Sequence, residues 1–202
     1  MRIFTAITKK RIELEKGVID VITELQQFVK ILLKSEDCDT LQRNFNRIIE
    51  IEADFESSVH MFNERLVNRY NLPFYWQDIY EVVQYMEKLN NHLHIYFNKC
   101  IVYKNTVSYA VLLTVENSIL DNIKSFMNDY LKNRKYISEL LKNNRYELKN
   151  FIREYIQVVN ATMFDAFSHK SIYEIGEVFE RIHDENENIH SLLNKIFISV
   201  NL

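Results

Sequence analysis

Glu50 and Asp54 stand four residues apart in the segment IEIEADF. On an α-helix that spacing sets both carboxylates on one face, a turn apart. Two such charges repel unless something positive lies between them. A metal ion that takes oxygen ligands can fill that place, as can an arginine or plain water. Glu87 and Asn91 repeat the spacing in YMEKLNN. They follow Pro73, the single proline of the chain, which ends one helix and lets the next return beside it. An antiparallel return brings the two pairs together across a groove. Glu50, Asp54 and Glu87 then supply carboxylates and Asn91 an amide oxygen to one metal ion. Residue types do not choose among Mg, Mn, Fe and Zn, and a solvated seam with one or two salt bridges is the alternative.

A second acidic cluster, Glu180, Asp184 and Glu187, lies almost opposite the apolar stripe of the last helix and reads as a solvated face without metal. Glu180-x-x-His183 and Glu187-x-x-His190 each look like half of a di-iron motif. That site needs the motif on two facing helices, and here both copies share one. The chain has no Gly-rich phosphate loop, no HExxH and no nucleophile elbow, so no constellation points to an enzyme.

The elements that must position these groups are helices. In 202 residues there are two glycines and one proline, too few for the turns of a sheet. Apolar residues recur at steps of three and four. Leu14 to Leu32 mark a helix over about 11–34, and Phe45 to Leu66 a long one over about 40–70. Ile79 to Phe97 mark a third from Tyr75–Asp78 onward, and Val107 to Phe126 a fourth over about 105–133. Ile137 to Phe164 mark a fifth over about 136–167, and Ile172 to Ile196 a sixth after the turn FSHKS. The expected architecture is all-α, six long helices arranged as two similar three-helix bundles. It forms a single domain over 1–202 with an internal repeat of about 10–103 and 105–200. A net charge of −3 with interleaved bases gives no stripe for nucleic acid. Two cysteines suggest neither a disulfide framework nor a Cys-based zinc site, and a cytoplasmic protein is expected.

With these segments placed, the chain resembles the PhoU-like family, and most closely its short branch, once described as a domain of unknown function. The resemblance rests on Glu50 and Asp54 in the second helix, and on Pro73-Phe74 followed by Asp78-Ile79 with Tyr75, Trp76 and Gln77 between. It extends to Glu87 and Asn91 where the family has two acids, and to Glu180, Asp184 and Glu187 in the last helix. The chain departs from the pattern in the fifth helix. Lys149 and Arg153 stand there in place of acids, and they are expected to pair with Glu180 and Asp184 as a salt bridge in place of a metal. The resemblance implies a non-enzymatic regulatory or accessory protein of inorganic phosphate transport that binds divalent or trivalent metal at its acidic motifs. It implies a homodimer or higher oligomer, and a membrane phosphate transporter as partner. A helical protein-interaction module without metal or phosphate is the other reading.

Overall fold

The apolar stripes fold into helices whose stripes meet in one continuous core. The computed structural model describes residues 2–35, 38–67, 75–103, 109–130, 134–162 and 169–201. Among these the chain forms seven helices. They are α1 (Arg2–Lys34), α2 (Cys38–Arg43), α3 (Phe45–Val67), α4 (Trp76–Tyr103), α5 (Ala110–Asp129), α6 (Arg134–Thr162) and α7 (His169–Asn201). The protein is all-α, but the expected six helices in two three-helix bundles are not what it builds. Two physical causes account for the difference.

The first is a break in the expected second helix. Asn44 separates the six-residue α2 from α3. Its side-chain Nδ2 donates to Ser35 Oγ at 3.1 Å, and that hydroxyl donates to the Ile31 carbonyl at 2.8 Å. The amide is thus drawn back to the end of α1, and local side-chain bonding of this kind competes with helix continuation. Backbone hydrogen bonds still flank the break, Asn44 N to Thr40 O and Ile48 N to Asn44 O, both 3.0 Å.

The second is that the most extensive packing joins the two halves of the chain. α4 runs antiparallel along α7, and α1 antiparallel along α5. At one end of the α4–α7 pair, Lys99 Nζ and Tyr103 Oη both donate to Glu174 Oε2, at 2.6 and 2.7 Å. Farther along, Lys88 and His92 approach Glu185. Between α1 and α5, Tyr130 Oη donates to Glu15 Oε1 at 2.9 Å. The buried Gln26 accepts from Lys124 Nζ at 3.2 Å and donates to Asp121. Phe179 of α7 is the hub of the core. Its ring lies 5.1 Å from that of Tyr96, 5.2 Å from that of Tyr109 and 6.1 Å from that of Phe151. It thereby joins α4, the residue preceding α5, α6 and α7. Separate three-helix bundles would leave these faces in water, which is why the halves close on each other.

The halves differ at their outer helices. α6 packs closely along both α5 and α7, whereas α3 packs closely along α1 and not along α4. α3 reaches α4 through side chains, with Phe45 and Phe97 ring centroids 6.0 Å apart and His94 Nε2 3.6 Å from Glu52 Oε1. No described helix is long and apolar enough to cross a membrane.

Candidate functional site

On α3, Glu50 is exposed and accepts a hydrogen bond from Arg47 Nη1 at 2.7 Å, one turn away on the same helix. Asp54, also exposed, acts on α1 instead. Burial first, and the charge of Asp54 second, raise the Glu24 carboxyl above its ordinary value, against the pull of Arg47. On α4, Glu87 is half-buried and accepts from Gln84 Nε2 at 2.5 Å. Burial raises its carboxyl, and the Gln84 hydrogen bond opposes that. Asn91 is exposed. Among the described residues no group of three His, Cys, Asp or Glu side chains is placed to hold a metal ion. Pro73 and Phe74 lie outside the described residues. Asp78 is in the first turn of α4, half-buried, its carboxyl raised by burial while Lys195 of α7 lowers it.

The α3 acids that do face α4 are different ones. Glu52 lies beside His94, and the charges of Glu52 and Glu56 both favour its protonated form. Burial outweighs them and holds the imidazole below its usual value, with the Phe28 ring at 4.5 Å. The buried Nε2 has no hydrogen-bond partner. Phe45, Ile49, Glu52 and Glu56 follow one another at steps of four and three, so they share the face of α3 turned to α4. Glu87, two turns from His94, lies on the corresponding face of α4.

In the last helix, Glu180 accepts from Tyr155 Oη at 2.8 Å. That hydroxyl lies 3.0 Å from where a Cβ on Gly176 would stand, so the glycine gives α6 room to close on α7. Glu187 pairs with Arg145, while Asp184 is exposed. The expected bridges from Lys149 and Arg153 to Glu180 and Asp184 give way to this arrangement. Arg153 bonds Asn150 and, at 3.3 Å, Glu154 on its own helix. Phe151 packs between Phe179 and His183 in the same α6–α7 interface.

Two buried polar pairs complete the C-terminal half. Asn186 Nδ2 donates to Glu116 Oε2 at 2.6 Å, and Asn144 Nδ2 lies 3.3 Å from His190 Nδ1. Burial pushes the Glu116 carboxyl up to about 8, and the Asn186 hydrogen bond opposes it. Burial and the nearby Arg145 hold His190 below its usual value. The signal for Glu116 was in the sequence. It stands four residues after Leu112 and three before Ile119, an acid within an apolar stripe.

No protein-family model matches the chain, and no curated protein matches it.

Proposed function

We propose that this chain is a non-enzymatic regulatory or accessory protein that works by docking. The seam between α3 and α4 receives a basic, partly apolar segment of a membrane transporter of inorganic phosphate. The observation that carries this reading is the seam itself, where α3 does not close along α4. Phe45 and Ile49 remain 43% and 46% exposed there, beside Glu52 and Glu56. From Arg47 to Arg65, α3 carries Glu50, Glu52, Asp54, Glu56 and Glu64 and no other lysine or arginine. Exposed apolar side chains rimmed by one sign of charge suit a partner of opposite charge with an apolar anchor. Cytoplasmic loops of membrane proteins carry an excess of lysine and arginine, so a transporter loop has the complementary chemistry. The resemblance to PhoU-like proteins supports phosphate transport as the setting, a cytoplasmic position at the membrane and a homodimer or higher oligomer. Docking by charge and apolar contact needs neither a metal nor a catalytic group.

The test is calorimetric titration of a synthetic basic loop peptide from an inorganic-phosphate permease. The wild type should bind it, more weakly as salt rises. A Glu52→Lys, Glu56→Lys variant should bind at least about tenfold more weakly, since reversing a charge adds repulsion to the lost attraction. A control variant, Glu139→Lys on the exposed surface of α6, should bind as the wild type does. Equal loss in both variants, or no binding by the wild type, would refute the proposal.

A further inference from the structure

Glu116 is 1% exposed, and Asn186 is fully buried beside it. Asn186 Nδ2 donates to Glu116 Oε2, yet Glu116 Oε1 and Asn186 Oδ1 both lack a partner. Both orphans are acceptors, and buried acceptors without donors are costly. A single hydrogen on Oε1 would satisfy both: the carboxyl would donate to Asn186 Oδ1 while Asn186 Nδ2 donates back to Oε2. Acid and amide would then close a two-bond ring. A metal ion in the same place would find one carboxylate and one amide oxygen, too few ligands for a hard cation.

We propose that Glu116 is a buried proton-binding site, protonated at neutral pH, and that its ring with Asn186 is a latch between α5 and α7 that opens when the proton leaves to solvent. The electrostatics agree. Burial dominates at Glu116, the Asn186 hydrogen bond opposes it, and no charged group among the described residues acts on it. The ionisable groups on the surrounding helices are engaged elsewhere. On α7, His183 and His190 feel Arg145 and Glu187, and His183 also feels Asp184. Arg145 of α6 pairs with Glu187. On α5 itself, Asp121 and Lys124 bond Gln26 of α1, and Glu24 of α1 feels Asp54, Arg47, Asp20 and Lys124. Among the described residues, an ionised Glu116 would have one neutral hydrogen-bond donor and no counter-charge. α5 and α7 meet over only a short stretch, so little else holds the contact once the ring is broken.

The direction with pH follows from which state binds the proton more tightly. The folded carboxyl holds its proton up to about 8, whereas an unfolded glutamate releases it near 4.3. Stability contributed by this group is therefore greatest at acid pH, falls as pH rises between those values, and levels off above them. In Glu116→Gln, the side-chain amide takes over the carboxyl hydrogen's role and carries no charge.

Urea unfolding of both proteins from about pH 5 to about pH 9 tests the site. The folded-to-unfolded ratio of the wild type should fall by on the order of a hundredfold or more relative to Glu116→Gln between about pH 5 and 8. Difference infrared spectra of the wild type should show the carbonyl stretch of a buried protonated acid at pH 7, absent in Glu116→Gln and lost as pH rises past about 8. Parallel unfolding curves, or no protonated-acid band at pH 7, would overturn the proposal. The wild-type infrared measurement decides the matter even if the variant fails to fold.

Discussion

Phe179→Ala should lower the unfolding free energy by about 3–5 kcal/mol, the usual cost of removing a buried phenylalanine. Phe179 is fully buried and its ring meets those of Tyr96, Tyr109 and Phe151. Truncation removes the apolar area and leaves a void lined by rigid aromatic rings, which collapse poorly into it. It also loosens the α4–α7 contact, the longest in the fold, so both halves of the chain should unfold together. Urea denaturation followed by helix signal and by Trp76 fluorescence measures this. The two probes should report one coincident transition at lower urea than in the wild type. Trp76 lies on α4 and the mutation on α7, so separate transitions would show that the halves are independent bundles.

Asn186→Ala should cost about 2–3 kcal/mol, the penalty for a buried polar group stripped of its partner. The substitution deletes the amide and leaves both Glu116 oxygens in an apolar core. The loss should grow as pH rises toward 8, because the ionised carboxylate also loses the one hydrogen bond that stabilised it. Urea unfolding at about pH 6 and pH 8 gives both quantities. The same substitution made in a Glu116→Leu background should cost much less, since no buried acid is then left without its partner.

The helices were legible because burial follows period. Leu14, Val18, Val21, Ile22, Leu25, Phe28, Val29 and Leu32 all lie in the core, as the stripe of α1 requires. The partner of each stripe was not legible. An apolar face says that a helix is covered, and not whether α4 covers itself with α3 or with α7. The split at Asn44 depends on Ser35, nine residues away just past the end of α1, and that hydrogen bond has no periodic signature. Stripe edges were blurred for the same reason. Val111 and Ile152 are exposed at 48% and 37% because Leu112 and Phe151, their neighbours in the chain, turn inward instead.

Carboxylate spacing was visible from the start, but spacing within one helix does not say which neighbour each side chain takes. Asp54 acts on Glu24 of α1, Glu52 is the acid that meets His94, and Arg145 rather than Lys149 or Arg153 reaches the acids of α7. Glu116 was visible as an acid in an apolar stripe. Its partner Asn186 lies on a different helix, seventy residues on, so the pair could not be read from spacing.

Docking at the α3–α4 seam is tested most directly by site-specific photo-crosslinking in native membranes. One probe replaces Ile49, on the α3 wall of the seam, and a second replaces Tyr146, 61% exposed on α6. The account predicts a product between the Ile49 probe and an inorganic-phosphate permease. That product should disappear in the Glu52→Lys, Glu56→Lys background, and the Tyr146 probe should give none. A permease product from Tyr146 but not Ile49, equal products from both, or none from either would contradict it.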